Sequence, residues 1–310
     1  MISVVIPNWN GIVYLPPCLD ALRAQTHAHY EVLLVDNASE DGSQELVARD
    51  YADVHLVALE TNEGFTGACN AGMRAAKGEI VVLLNNDTEV VPDWLAQIEA
   101  AFERHPEAGI VASKILLYDR RNTLHTAGDE YRVDGTPANR GVWQIDNGQY
   151  SEGYVFSACG GAAAYRRAML DQIGLLDEDF FFSCEDVDLG WRAQLQGWRA
   201  VYAPQAVVYH RLAATGAGTT ASFHNGRNFI YVLVMDVPGN IWRKHWSKIL
   251  RAQLRITGEA LRAWGGPAAR ARLRGQIVGI LALPRLLRKR RKTQAQRTVS
   301  DDYIESVLTV

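Results

Sequence analysis

The chain lacks most of the features that would assign it quickly. Its four cysteines, Cys18, Cys69, Cys159 and Cys184, lie far apart with no CxxC spacing. That excludes a disulfide scaffold and a zinc-thiolate site, and it suits a reducing compartment. No apolar run reaches the roughly 18 residues a bilayer-crossing helix needs. The opening MISVVIPNW has no basic flank and meets Pro7 early, unlike a secretory leader. The glycine-rich stretch NEGFTG at 62–67 matches neither the phosphate loop GxxxxGK[ST] nor the dinucleotide fingerprint GxGxxG. No Ser/His/Asp or Cys/His triad can be read from residue order.

What is present is a 310-residue chain, 48% apolar and 22% charged, enough for one large core or two modest domains. A net charge of -3 conceals a strong asymmetry. Residues 241–292 hold 15 Lys/Arg and one acid, Glu259, leaving 17 basic and 34 acidic residues elsewhere. The body is acidic and the tail basic.

Apolar runs at Ile2–Ile6, Glu31–Val35, Val54–Leu59 and Ile80–Leu84 alternate with helical patterns at 14–24, after Ser39 or Asp41, and at 68–76. This rhythm predicts a parallel sheet with helices on both faces and right-handed crossovers. Its ligand edge lies at the C-terminal ends of the strands. A helix at 92–104 and a buried strand at 109–113 follow. Turn signals between 114 and 154 predict a small, mostly β insertion beside a substrate cleft. A helix at 189–196 and a strand at 200–209 complete the body.

Four polar groups fall on the predicted edge. Asn85-Asn86-Asp87 follows a buried strand, so Asp87 suits a hard cation with its phosphates; the same residues also make a common turn. Asp36 can accept from a uracil or thymine N3–H or from ribose hydroxyls, or cap the next helix. Gly64 lets backbone approach a ligand or simply forms a tight turn, and Asn70 can bond a diphosphate or brace a loop. In Phe180–Asp188 an aromatic wall runs into Glu185, Asp186 and Asp188. One of these acids can serve as a general base; alternatively they only start a helix. His210, after the last strand, can add a nitrogen to a divalent ion beside Asp87, although a lone histidine is usually structural.

Five stretches in this order, SVVIPNWNG at 3–11, VDNASEDGS at 35–43, NEGFTGACNAG at 62–72, LLNNDTEV at 83–90 and FFFSCEDVDLGWR at 180–192, with YH at 209–210, resemble the family 2 glycosyltransferases of GT-A fold. Within them the chain is similar to the bacterial rhamnosyltransferase-like branch. The resemblance covers about residues 1–230. It implies a Rossmann-like α/β sandwich with a mostly parallel sheet. The catalytic domain would span 1–235, with 1–113 for the nucleotide and 114–235 for acceptor and catalysis, and a basic helical tail would span 236–310. It further implies an inverting transfer of sugar, by family likeness rhamnose, from a dTDP- or UDP-linked donor to a hydroxyl of a polysaccharide or lipid-linked acceptor. Pro7, Asn8, Asp36, Gly64, Asn70, Asn85, Asn86 and Asp87 would bind the donor. Asp87 and His210 would approach a Mg²⁺ or Mn²⁺, and Asp186 would be the base with Glu185 beside it. The family's Asp-X-Asp motif stands here as Asn85-Asn86-Asp87, with an amide in place of the first acid.

The tail carries Trp242, Trp246 and Trp264 among many arginines, then Arg288-Lys289-Arg290-Arg291-Lys292. Residues 241–292 therefore suit an anionic membrane surface, which would put the protein on the cytoplasmic, inner face of the cell membrane. The alternatives are helices packed on the body or a homodimer interface. Nucleic acid is excluded as a partner by the acidic body. Two other functions stay open. A nucleotide-sugar pyrophosphorylase would want a basic glycine-rich loop after the first strand, where PNWNG has no Lys or Arg. A degenerate nucleotide-sugar binding protein would account for Asn85.

Overall fold

The computed structural model describes residues 1–212 and 218–310. The first half is β1 (Ile2–Asn8), α1 (Leu15–Arg23), β2 (Tyr30–Asp36), α2 (Ser43–Asp50), β3 (His55–Ala58), α3 (Gly64–Ala75) and β4 (Ile80–Leu84). β1 pairs in parallel with both β2 and β4, and β2 with β3, giving the order 3-2-1-4. The continuous apolar runs of β1 and β4 are buried, as strands covered on both faces must be. Then come β5 (Thr88–Val90), α4 (Trp94–Arg104), β6 (Ala108–Leu117), β7 (Leu124–Thr126), β8 (Asp129–Tyr131), β9 (Pro137–Asn139), β10 (Gly153–Val155), β11 (Ala162–Arg166), α5 (Arg167–Ile173), α6 (Glu185–Leu195) and β12 (Arg199–His210). β11 inserts antiparallel between β4 and β6, and β12 runs parallel to β6.

The result is a mixed sheet, parallel from β4 to β3 and mixed beyond it. Two successive reversals, β4 to β11 and β11 to β6, leave β12 pointing the same way as β4. The C-terminal ends of β1, β2, β4 and β12 therefore share one edge. The small, mostly β region after residue 114 is present, with β8 and β9 forming a separate two-stranded ribbon. One core layer packs Leu15, Leu19, Trp94 and Ile98 on one face of the sheet. The opposite layer holds Met73, Met169 and Leu189.

Two helix starts differ from the sequence expectation. α3 begins at Gly64, so the glycine-rich turn is largely the helix's first turn. The side chains of Asn37 and Asn62 accept from the N–H groups of Glu63 and Gly64 at 2.8 Å each, replacing a conventional cap. α6 begins at Glu185 instead of Leu189, with three acids in its first turn where the helix dipole favours them.

A helical layer completes the molecule: α7 (Gly218–Met235), α8 (Gly239–Arg262), α9 (Pro267–Leu281), α10 (Leu283–Ala295) and α11 (Asp301–Val307). A third core cluster ties it to the body. Tyr131, Phe156 and Trp191 stack edge-on and meet Tyr231, Ile249, Leu286 and Ile304. The chain end is stitched to the β insertion, since Thr309 N–H donates to the Tyr131 carbonyl at 3.0 Å and Val133 N–H to that of Thr309 at 2.8 Å.

α7 and α9 pack backbone to backbone. A Cβ on Gly226 would strike the Arg272 carbonyl, and one on Gly275 the Phe223 carbonyl. Gly275→Val is therefore expected to force the helices apart and cost about 1–3 kcal/mol. Gly258→Ala, in α8 with nothing within 4 Å, should instead stabilise by roughly 0.5–1 kcal/mol. Thermal unfolding of both variants checks the pair; equal shifts would contradict the packing.

Candidate functional site

The shared edge opens into a cleft of about 770 Å³. Pro7 and Asn8 reach it from β1, Asn85, Asn86 and Asp87 from the end of β4, His210 from the end of β12, Glu185 and Asp186 from α6, and Gly64 from α3. The predicted groups thus meet at one mouth, with two exceptions. Asp36 is buried behind the wall, and Asn70 faces elsewhere.

An amide chain connects the first wall. Asn86 donates to Asn8 Oδ1 at 2.7 Å, and Asn8 donates to Asp36 Oδ1 at 3.1 Å. Asp36 also accepts from Ser39 N–H at 3.0 Å and Gln44 at 2.7 Å. Three of the four or so acceptor positions of its carboxylate are filled from within the protein. Asp36 positions Asn8 instead of lining the cleft. Gly64, at φ +75°, abuts Phe181 so closely that no side chain fits there. Asn70 corrects the expectation of a donor contact. Its amide donates to the Leu176 carbonyl at 2.9 Å and accepts from Leu176 N–H at 3.1 Å, so it braces the loop before α6.

Next to Asn86 at the end of β4, Asp87 Oδ1 lies 3.0 Å from His210 Nε2, both side chains buried. Arg211 N–H donates to the Asp87 carbonyl at 3.1 Å, and β5 pairs with β12 through Thr88 and His210, which fixes the two side chains in register. Asn85 Nδ2 is 3.3 Å from the same imidazole nitrogen. Behind it, His125 Nδ1 sits 3.4 Å from His210 Nδ1. Burial, then the neighbouring His210, push the His125 pKa down to about 3, so it stays neutral at ordinary pH. His125 came with no signal in the sequence, because it lies in β7, inside the region without clear periodicity.

Among the described residues no three His, Cys, Asp or Glu side chains are grouped to hold a metal ion. The residues still fit a divalent cation that shares its shell with phosphates, as such ions commonly do. Asp87 and His210, 3.0 Å apart and both lining the cleft, are the residues that would hold it.

The acid wall is held in an unusual backbone. Phe181, Ser183 and Cys184 adopt left-handed φ values of 61°, 70° and 67°. Such non-glycine positions cost roughly 1–3 kcal/mol each and persist only when over-determined. Here Asn228 on α7 donates to the Phe180, Phe182 and Ser183 carbonyls, and Arg227 donates to that of Phe180 at 2.6 Å. The turn delivers Asp186 into the cleft, where Oδ2 accepts from Gly160 N–H and Oδ1 from Val187 N–H, both at 2.8 Å. Burial raises the Asp186 pKa against those two hydrogen bonds. Burial, then Asp186 itself, push Glu185 well above the usual carboxylate range. Glu185 Oε2 is buried without a partner. Asp129, a third carboxyl the sequence analysis missed, is pushed up by burial and then by Asp186. It lies on the ribbon strand β8 and accepts from Thr126 at 3.1 Å. Of the three carboxyls, Asp186 is the one whose two oxygens each accept from a backbone N–H.

Residues 3–174 match the family model described as "Glycosyl transferase family 2". The chain is 31% identical over 229 residues to the O-antigen biosynthesis protein RfbC of Myxococcus xanthus; that covers 69% of this chain but only 17% of the relative's own length. It is 27% identical over 285 residues to an N-acetylglucosaminyl-diphospho-decaprenol L-rhamnosyltransferase of Mycobacterium tuberculosis, covering 83% of this chain and 91% of that one. Among solved structures, the mannosyltransferase PcManGT of Pyrobaculum calidifontis, in complex with GDP-Man and Mn²⁺, has a TM-score of 0.58 at 20% identity, over 95% of this chain and 84% of that one, which is a likeness of fold. With a family model matched over more than half its length, the chain belongs to glycosyl transferase family 2 and is a glycosyl-transferring enzyme of GT-A type.

Proposed function

We propose that the protein is an inverting glycosyltransferase that moves a deoxyhexose, rhamnose by likeness to the mycobacterial relative, from a dTDP- or UDP-linked donor to a hydroxyl of a lipid-linked saccharide or polysaccharide. The observation that carries this reading is the placement of Asp87 and Asp186 in one cleft. The nucleotide takes the 1–113 side. Pro7 and Asn8 line the nucleoside pocket, Asp36 keeps the Asn8 amide oriented, and Asn85 and Asn86 face the donor from the end of β4. Asp87 and His210 would hold a Mn²⁺ or Mg²⁺ against the diphosphate, its contribution being to neutralise charge on the leaving group. His125 keeps the His210 ring in place. The acceptor enters from the 114–235 side.

In the transfer, Asp186 takes the acceptor hydroxyl proton as the oxygen bonds to the anomeric carbon. The carbon–phosphate-oxygen bond breaks, and its electron pair leaves with the nucleoside diphosphate. Burial and the neighbouring Asp186 raise the proton affinity of Glu185 and Asp129, which favours Asp186 as the base of the acid wall. One base in that role suits a single displacement with inversion. Glu185, with one buried oxygen that has no partner, lies beside the base.

Asp186→Asn is expected to lower kcat by about 10²–10⁴-fold while sparing donor affinity. Because burial raises the Asp186 pKa, the base is lost as pH falls through a value above the ordinary aspartate figure of about 3.9. The wild-type rate should therefore climb with pH through that point, and the variant's residual rate should not. Turnover by Asp186→Asn that equals wild type at saturating donor would remove this role.

Asp87→Ala is expected to abolish the Mn²⁺-dependent part of nucleoside diphosphate binding, read by calorimetry with and without the ion. A hydrolysis screen over pure nucleotide sugars, without acceptor, should find cleavage of a dTDP- or UDP-linked deoxyhexose. Cleavage confined to other nucleotide sugars would overturn the donor assignment.

A further inference from the structure

Half of the exposed large apolar side chains among the described residues fall between 246 and 287. They are ordered. On α8, Trp246, Leu250, Leu254 and Leu261 lie 49–61% exposed at helical spacing on one stripe. The packed side of the same helix is a different set, Ile241, Ile249, Ala252 and Ala260. A third stripe carries Lys248, Arg251, Arg255 and Arg262, none of which pairs with an acid among the described residues. α9, which packs beside α8, exposes Ile277 and Leu281, and the connection between them exposes Trp264.

Other cations of the tail are already committed. Arg285 meets Asp179 at 2.7 Å, Lys289 meets Asp177 at 2.6 Å, and Lys244 pairs with Glu305. The body thus uses part of the basic block to hold the helical layer. The α8 stripe is left over, beside a row of uncovered leucine and tryptophan.

We propose that the α8–α9 hairpin docks on an anionic lipid bilayer, lying in the headgroup plane with its apolar stripe inserted and its arginines on the phosphates. α8, with 24 residues, is roughly 36 Å long and would lie along the surface. No helix among the described residues is long and apolar enough to cross a membrane, so contact is from one side. A second copy of the chain fits this face poorly. A two-fold interface centred on the apolar stripe would bring its basic flank against the basic flank of its mate. Polynucleotide phosphates would match the arginines and leave the apolar stripe in water.

The position of the hairpin gives the docking a use. α7 is the shared wall: Thr220, Asn225 and Phe229 line the cleft, while Gly226 seats the helix on α9. A bilayer beneath α8 and α9 is one helix away from the cleft mouth. Delivery of a lipid-borne acceptor across that distance rests on the glycosyl-transfer reading above; the docking itself does not.

Co-sedimentation of the full chain with vesicles tests it. The protein should sediment with phosphatidylglycerol mixed into phosphatidylcholine and remain free with phosphatidylcholine alone. Trp246→Gln, Leu250→Gln and Leu254→Gln combined, and separately Lys248→Gln, Arg251→Gln and Arg255→Gln combined, should each weaken vesicle binding by about tenfold or more. Both sets lie outside the cleft, so donor hydrolysis should be unchanged, which also shows that the variants fold. Equal sedimentation of wild type and variants would overturn the proposal. So would a wild-type dimer, seen by light scattering, that the variants dissolve while no form binds vesicles. Vesicle binding that follows the predicted pattern in a protein that transfers no sugar from a dTDP- or UDP-linked deoxyhexose would sustain the docking surface and defeat the donor reading above.

Discussion

The Asp87–His210 contact joins the two halves of the cleft. One partner ends β4, in the parallel unit, and the other ends β12, on the far side of the antiparallel insert. They meet because β11 and β6 reverse direction in turn, restoring the orientation of β12 to that of β4. A single reversal would have sent His210 to the opposite edge of the sheet. The carboxylate and the imidazole are both buried, so each needs a partner, and the pair supplies one while facing the ligand space. Asn85 on one side and His125 behind complete the setting.

The opposite wall depends on strain held by a helix far along the chain. Three carbonyls around the left-handed turn, those of Phe180, Phe182 and Ser183, are taken by Arg227 and Asn228 of α7. Without those donors the turn would carry unpaired buried carbonyls and unfavourable φ values together. The position of the acid at 186 is therefore a property of α7 as much as of its own segment. The α7 helix is in turn seated by close glycine contacts on α9. Geometry at the cleft and packing of the tail are consequently one mechanical unit.

Charge follows the same division. Burial, and then the carboxyl at 186, raise the proton affinity of those at 129 and 185. The acids at 177 and 179, nearer the surface, are met by Lys289 and Arg285 from the tail. The basic tail thus compensates the acidic body locally before any cation is left for an external partner.

The sequence alone determined the alternating elements of the first half, the strand ends that carry Asn8, Asp36 and Asp87, and the acid run after three phenylalanines, because apolar periodicity and turn residues are local signals. Family resemblance assigned roles to several of them. It could not show that Asn70 is consumed in bracing Leu176, since a buried amide on a helix has the same local pattern whether it meets backbone or ligand. Nor could it find His125 or Asp129, which sit in short strands too brief to show a period. The double reversal that brings β12 to the predicted edge, the three-carboxyl cluster and the exposed stripe of α8 were decided by tertiary structure. Each depends on which distant segment covers a side chain, and burial is a property of neighbours that chain order does not encode locally.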